Sequence, residues 1–465
     1  MNRRTFLSAS AQAVGSLAFS QQAPPAKRPN IIWLMGDQFR AQALGCNGDP
    51  NARTPNLDTM STLGVNFTNA VSGMPLCCPF RGSMLTGRYP HHVVPGHEYP
   101  LPAGQPTLAQ PFKEAGYQTA YFGKWHLAGF HEREGRAAMF ITDPDRRGGF
   151  DSWTGYENNN SPWDSWVHGG RGKDAFHYRL PGYETDCLSD LLIRYIKERA
   201  NDQKPFFAIM SVQPPHDPFV APPDYMGRYN GGRLQLRPNV PNVLRVQEEA
   251  RRSLAGYYAM IENLDHNVGR IRQALTESKL DFDTHLMFFA DHGEMAGSHG
   301  EFRKMTPHEE SIRIPFLISG ETPRYNNRAN ARVSAPLNHV DIAPTTLGLC
   351  GIKKPAWMEG TDYSHYRLLN NPKGPEPDSA YLQSVVPTGH PDSINKPWRG
   401  IVTKDGWKYV CLENLSWQMY NLNEDPYEQV NEALNNRYRA ERKKLAARLK
   451  QWVHDTKDEF AIPED

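Results

Sequence analysis

Short, unbroken apolar runs alternate along the chain with longer amphipathic stretches. "NIIWLM" (30–35), "TAYF" (119–122), "FFAIMSV" (206–212) and "HLMFFA" (285–290) lack the apolar–polar alternation of a half-exposed strand, and loop-forming residues bound each one. Such runs predict strands buried on both faces, as in a parallel sheet. Helices are predicted over "TLAQPFKEAG" (107–116), "DLLIRYIKERA" (190–200) and "LAGYYAMIENLDHNVGRIRQAL" (254–275). The alternation predicts an α/β fold, a large, mostly parallel sheet flanked by helices. Past "NNPKGPEPDS" (370–379) the pattern changes. "RGIVTKDGWKYVCLEN" reads as paired strands and "NRYRAERKKLAARLKQWVHDT" as an amphipathic terminal helix. The predicted organisation is a main domain over 28–370 and a small α+β subdomain over 371–465.

The first twenty residues, "MNRRTFLSASAQAVGSLAFS", do not fit either unit. Paired arginines (Arg3, Arg4) precede a weakly apolar, alanine-rich stretch, and "AFS" offers small residues for a signal peptidase. Residues 1–23 thus resemble a bacterial twin-arginine export signal, which implies a periplasmic or secreted protein. No other stretch is apolar for the 18 or more residues that a membrane helix requires. Charge is balanced, with 52 Lys+Arg against 51 Asp+Glu. That argues against a nucleic-acid binder and against an electrostatic membrane binder. Six cysteines (46, 77, 78, 187, 350, 411) are too few and too scattered for a disulfide scaffold, and no C-x-x-C suggests a zinc cage.

The residues just past each apolar run carry the chemistry. The first run leads into Gly36-Asp37-Gln38, the second into Gly123-Lys124-Trp125-His126, the third into "QPPHDPF" with His216 and Asp217, and the fourth into Asp291-His292-Gly293-Glu294. Ligands of open α/β sheets bind beyond the carboxyl ends of the strands, so one sheet edge would gather all four. Asp37, Asp291, His292 and the amide oxygen of Gln38 suit one divalent cation. The oxygen-rich set favours calcium or magnesium, and the imidazole leaves manganese open. Lys124, His126, His216 and Lys304 add cations and proton donors that hold a tetrahedral anion and protonate a leaving oxygen. Taken singly, His216 reads as a solvent-facing loop histidine and Lys304 as a surface lysine. In "MPLCCPFRGSMLTGRYPHH" (74–92), a helix predicted after Pro79 sets Cys77 beside a helix N-terminus, where anions are favoured. A small buried hydrophobe explains Cys78 better than Cys77. The loop-rich, aromatic and basic segment 131–180 is expected to form one wall of a substrate cleft, through Trp153, Trp163, Trp166, His168, Arg171 and His177. Tyr156 stands with them in that segment, and the other reading makes its tryptophans core.

These motifs together resemble the type I, formylglycine-dependent sulfatases of the alkaline-phosphatase-like superfamily. The signature Cys-x-Pro-x-Arg stands as Cys77-Cys78-Pro79-Phe80-Arg81 and continues into Leu85-Thr86-Gly87-Arg88. "GYQTAYFGKWH" (116–126), "DHGEMAGSHGEFRK" (291–304), "EESIRIP" (309–315), "VDIAPTTL" (340–347) and "YNLNEDPYEQVN" (420–431) come in the family's order. The resemblance implies that a formylglycine-generating enzyme oxidises Cys77 to formylglycine (3-oxoalanine), while Cys78 fills a variable position. It implies that residue 77, Asp37, Gln38, Asp291 and His292 hold the metal, most naturally calcium, and that Arg81 fixes the formylglycine. Lys124 and Lys304 would neutralise the sulfate, His216 with Lys304 would protonate the leaving alcohol, and His126 would accept the proton that releases sulfate. The chain departs from the family at Gln38, where many relatives carry a second aspartate. It departs also at His292, often Asn, and at Phe80, usually a small residue. The implied activity is hydrolysis of sulfate esters, expected on a sulfated carbohydrate. The alternatives are a phosphonate monoester or phosphodiester hydrolase of the superfamily, and a non-catalytic binder of sulfated glycans.

Overall fold

A computed structural model describes residues 28–320, 327–389 and 394–464. The expected export signal over 1–23 lies outside the described residues. Ten strands form the main sheet: β1 (Asn30–Gly36), β2 (Val65–Phe67), β3 (Gln118–Lys124), β4 (Ser152–Tyr156), β5 (Trp166–Gly169), β6 (Phe176–Arg179), β7 (Phe206–Ser211), β8 (Thr284–Ala290), β9 (Phe316–Ser319) and β10 (Ala331–Val333). Their order is β10-β2-β9-β8-β1-β7-β3-β4-β5-β6. The four apolar runs are its centre, β8-β1-β7-β3, and all of their pairings are parallel. Trp33 on β1 packs edge-on against Phe207 of β7 and Phe289 of β8, at 5.2 and 5.3 Å between ring centroids. Every residue of β1, β7 and β8 is buried, and their few polar residues, among them Asn30, Ser211, Thr284 and His285, fall at the strand ends.

Registers bring the strand ends level. Met35 pairs with Ser211 and with Phe289, and Gly123 pairs with Ser211. Gly123 has φ +100°, and a β-carbon there would lie 2.0 Å from the Ser211 carbonyl oxygen. Only glycine allows β3 to end so close to β7, and Lys124 then leaves the sheet at a fixed point.

The helices match the amphipathic stretches, shorter at Ala109–Glu114 and longer at Glu184–Arg199 and Leu244–Glu277. The stretch 254–275 lies inside a helix running from Leu244 to Glu277. Its first ten residues bury only Val246 and Ala250, so their apolar pattern is too sparse to announce the extension. The segment 131–180 differs from the expectation of a loop-rich excursion. It contributes β4, β5 and β6, which extend the main sheet at one edge. At the carboxyl end, β11 (Ser379–Ser384), β12 (Trp398–Thr403), β13 (Trp407–Leu412) and β14 (Leu415–Asn421) form an antiparallel sheet, and the helix Arg439–Asp455 packs on it. The molecule is thus a large, mostly parallel α/β sheet with a small antiparallel sheet after it. No helix among the described residues is long and apolar enough to cross a membrane.

Candidate active site

Arg81 draws the four strand ends together. It sits one turn after Cys77 on the helix Cys77–Thr86, whose residues are all buried, and its side chain is fully enclosed. Nη2 donates to Asp37 Oδ2 at 3.1 Å and to Asp291 Oδ2 at 3.2 Å. Nη1 donates to the Lys124 carbonyl at 2.9 Å and to Ser211 Oγ at 2.8 Å. One guanidinium therefore links β1, β8, β3 and β7 and fixes the helix that presents Cys77. Such a buried fork needs carboxylate partners to offset its desolvation. Burial works against its charge, and Asp291 and Asp37 outweigh burial and raise its pKa.

Around the Cys77 sulfur lie His292 Nε2 at 3.3 Å, Asp37 Oδ1 at 3.6 Å, Lys304 Nζ at 3.6 Å and Lys124 Nζ at 4.0 Å. Burial, and after it the charge of Asp37, pushes the Cys77 thiol up to about 11. Lys124 Nζ also lies 2.7 Å from Asp37 Oδ2. Burial alone would raise the Asp37 pKa, but Lys124, His216, Arg81 and His292 hold it well below the usual carboxylate range. Lys304 is buried, not a surface lysine. Its Nζ donates to Gln38 Oε1 at 3.0 Å and lies 2.9 Å from His216 Nε2. His216 Nδ1 is 2.7 Å from the Asp217 carbonyl, which can only accept, so Nδ1 carries the ring proton and Nε2 accepts from Lys304. Burial and the Lys304 charge push His216 down to about 3. His126 comes just after β3 with φ +54°, and neither ring nitrogen has a hydrogen-bond partner. Burial and Lys124 hold it well below an ordinary histidine, as neutral imidazole.

Asp37, Cys77, Asp291 and His292 offer donor atoms within 4.8 Å of one another, all of them buried. His292 Nδ1 lies 3.0 Å from the Gly293 carbonyl, so the lone pair of Nε2 points inward. It faces Asp37 Oδ1 at 3.5 Å and Asp291 Oδ1 at 3.6 Å. Burial pushes His292 down to about 4, so no ring proton separates these three acceptors at neutral pH. A divalent cation fits that gap chemically, with two hard carboxylates and one imidazole as donors. Gln38 stands differently from expectation. Its Oε1 is engaged by Lys304, and its Nε2 donates to Glu294 Oε2 at 2.6 Å. To ligate a metal, that oxygen must be shared with Lys304.

A cavity of about 800 Å³ opens over Cys77, Lys124, His126, His216 and Lys304. Its walls come from His97 and Glu98, the turn at His131–Glu134, Asn158, Asn160 and Arg303. None of the six residues expected to line a cleft is among them, although the segment 131–180 does supply a wall, through His131–Glu134, Asn158 and Asn160. Trp153 and His168 are buried, their rings 4.9 Å apart, and Trp153 stacks on Tyr121 of the core. Trp166 pairs with His177 across β5 and β6, Trp163 packs on Tyr183, and Arg171 bonds Asp145 at the surface. A strand-borne tryptophan shows the same composition whether it faces a cleft or a core.

Two acids escape a reading of the sequence. Glu157 accepts backbone N–H groups from Leu127, Ala128 and Gly129 at 2.9–3.2 Å and so fixes the turn that carries His126. It directly succeeds β4, so the strand-end rule finds it once that segment is read as strand. Glu294 anchors Gln38 and also accepts from the backbone of Ala296 and Arg303. It stands inside the "DHGEM" motif.

A mostly parallel α/β sheet whose carboxyl edge gathers two acids, an imidazole, two lysines and an arginine around one residue defines a hydrolase of anionic esters in the alkaline-phosphatase-like superfamily. Within it, the chain belongs to the sulfatase family, the sulfuric-ester hydrolases: the Sulfatase family model matches residues 29–352. A second model, N-sulphoglucosamine sulphohydrolase, C-terminal, matches residues 297–455. An ulvan-active sulfatase of Formosa agariphila is 36% identical over 461 residues, covering 95% of this chain and 84% of that protein. An N-acetylglucosamine-6-O-sulfatase of Bacteroides thetaiotaomicron is 26% identical over 93% of this chain and 87% of its own length. A crystal structure assigned as the sulfatase yidJ of Bacteroides fragilis superimposes with a TM-score of 0.83 at 26% identity, covering 94% of this chain and 98% of that one.

Proposed function

We propose that this sulfatase hydrolyses sulfate esters of a sulfated carbohydrate, through formylglycine formed from Cys77 by a formylglycine-generating enzyme and one divalent metal, calcium by preference with manganese or magnesium as substitutes. The convergence of Asp37, Asp291, His292, Lys124 and Lys304 on the Cys77 sulfur carries this reading. Buried beside Asp37 with its pKa near 11, an unmodified thiol is a poor nucleophile at neutral pH. A hydrated formylglycine supplies two hydroxyls on one carbon: one attacks sulfur and displaces the alcohol, and the other then gives up its proton and becomes the aldehyde carbonyl as the C–O bond to the sulfate breaks. Asp37, Asp291 and His292, with Gln38 at their border, would hold the metal, which would supply Lewis-acid charge at the anionic centre of the site.

The remaining work falls to the chain's own side chains. Lys124 and Lys304 neutralise sulfate oxygens, and Arg81 holds the helix end that carries residue 77. Lys304 donates the proton to the departing alcohol. His216, already accepting from Lys304 through Nε2, orients it and does not itself act as the acid. His126, neutral and without a hydrogen bond, accepts the proton when sulfate is released. Glu157 keeps that imidazole in place. A carbohydrate substrate is supported by the names of the two curated relatives and by the polar walls at Glu98, Glu132, Asn158 and Asn160. Export of the protein to the periplasm or beyond would bring it to such polymers.

Mass spectrometry of the tryptic peptide Thr54–Arg81 from the native host tests the nucleophile. A loss of roughly 18 Da at residue 77 is expected for the aldehyde, whereas two intact thiols in active enzyme would overturn it. Turnover of the sulfate and phosphate esters of one alcohol separates the sulfatase reading from a phosphonate or phosphodiester hydrolase. The sulfate ester is expected to win.

A further inference from the structure

Cys78 is not among the donors gathered around Asp37, Cys77, Asp291 and His292. Its sulfur lies with donor atoms of His97 and His126, all within 4.8 Å of one another. The three come from separate parts of the fold: the helix Cys77–Thr86, the loop beyond it, and the turn after β3. Cys78 is fully enclosed and accepts the Glu98 backbone N–H at 3.3 Å. The rings of His97 and His126 stand nearly perpendicular, 5.8 Å apart, and both line the cavity. His126 is 3% exposed, yet among the described residues no group satisfies either of its nitrogens. A buried imidazole with no partner calls for a ligand. Glu98 Oε1, 3.7 Å from His97 Nε2, provides the carboxylate that commonly backs a metal-bound histidine.

The two donor sets next to each other differ in kind. Asp37, Asp291 and His292 are mainly hard oxygen donors, whereas Cys78, His97 and His126 are one sulfur and two nitrogens. Sulfur with imidazole selects zinc over calcium or magnesium. Zinc–ligand bonds of about 2.0–2.3 Å bring such donors to roughly 3.5 Å from one another, so donors now within 4.8 Å must draw together by up to about 1.3 Å. The cavity would leave a fourth position open to water.

We propose that Cys78, His97 and His126 form a second, soft metal site that binds zinc, and that its occupancy halts turnover by engaging the His126 imidazole. The halt, unlike the binding, rests on the role of His126 proposed above. Cobalt(II) reports on binding without turnover, because a cobalt–thiolate bond absorbs in the near ultraviolet. The Cys77→Ala protein, which keeps Cys78 as the one thiol at this site, is expected to show that absorption. Adding Cys78→Ala should abolish it, and adding His97→Ala should weaken cobalt binding at least about tenfold. No absorption, or absorption that survives Cys78→Ala, overturns the site and leaves the sulfatase reading intact. With matured enzyme, zinc is expected to inhibit, and Cys78→Ala should raise the half-inhibiting concentration at least about tenfold. An unchanged value overturns the inhibitory role. A cobalt–thiolate signal without any zinc inhibition keeps the site and overturns the role given to His126.

Discussion

The carboxyl edge of β8-β1-β7-β3 and the segment 131–180 are both rich in charged and aromatic residues, yet the fold uses them in opposite ways. At the sheet edge, polar side chains are buried, and most are tied together across the strand ends: Arg81 alone reaches four. In 131–180 the charged pairs face solvent, as in Arg171 with Asp145, and Trp153 and Tyr156 complete a core. Burial, not composition, separates polar groups that act from polar groups that merely meet water. A charge removed from water needs a reason, and around Cys77 the reason we propose is an anion and a metal.

The largest expected effect is at the edge. Cys77→Ala should lower kcat by about 10⁴-fold or more, as loss of a nucleophile does in other hydrolases, with secondary structure by circular dichroism unchanged. Activity surviving that change would break the contrast at its centre. Next comes Trp153→Ala, which should cost about 3–5 kcal/mol of stability in denaturant unfolding because it empties a packed site. In the protein that remains folded, KM should be unaltered. A selective rise in KM would return Trp153 to the substrate. Lys304→Ala should then lower kcat by roughly 10²–10³-fold, the usual cost of one preorganised charge at a developing anion.

The fold was legible where side chains had no freedom of environment. Four runs without polar interruption can only be central strands, and the residues just past them had to share an edge. Thus Asp37, Lys124, His126, His216 and Asp291 could be placed together from order alone. Segment 131–180 was not legible in that way. β4 has five residues, β5 and β6 only four, and edge strands carry mixed polarity on both faces. Gln38 shows another limit. Its type admits a ligand, an anchor or a donor, and only the positions of Glu294 and Lys304 separate these roles.

Acid should divide the two regions more gently. Glu310 belongs to the short helix Glu309–Ile312, whose Ser311 carbonyl accepts the Gly293 N–H of the loop after β8. Burial alone would raise its pKa, but Arg237 and Asn239 bring it down from 4.5 to about 2. A depressed carboxyl contributes stability above its unfolded pKa and loses it as pH falls through the folded value. Glu310 is therefore expected to contribute about 3 kcal/mol above pH 4.5, lost progressively toward pH 2. Urea midpoints tracked between pH 6 and pH 3 should fall less steeply in Glu310→Gln than in the unaltered protein. Equal slopes would deny this pair its part in bracing the edge.

The smallest effects should come from the residues that composition alone made attractive. Trp163 packs its ring on Tyr183, and Arg171 ends in an exposed ion pair with Asp145. Exposed pairs of that kind contribute little, and neither residue borders the cavity. Trp163→Ala and Arg171→Ala should each leave kcat and KM within about twofold of the unaltered enzyme, since surface changes of this kind stay within about ±0.5 kcal/mol. Arg133, from the same segment, does line the cavity. Arg133→Ala should raise KM for a sulfated oligosaccharide by roughly tenfold, the loss expected for one charged hydrogen bond. For a small aryl sulfate that cannot reach the wall, KM should not move. Equal behaviour of all three variants on the oligosaccharide would mean that substrate contacts the strands of 131–180 rather than the turn at 131–134.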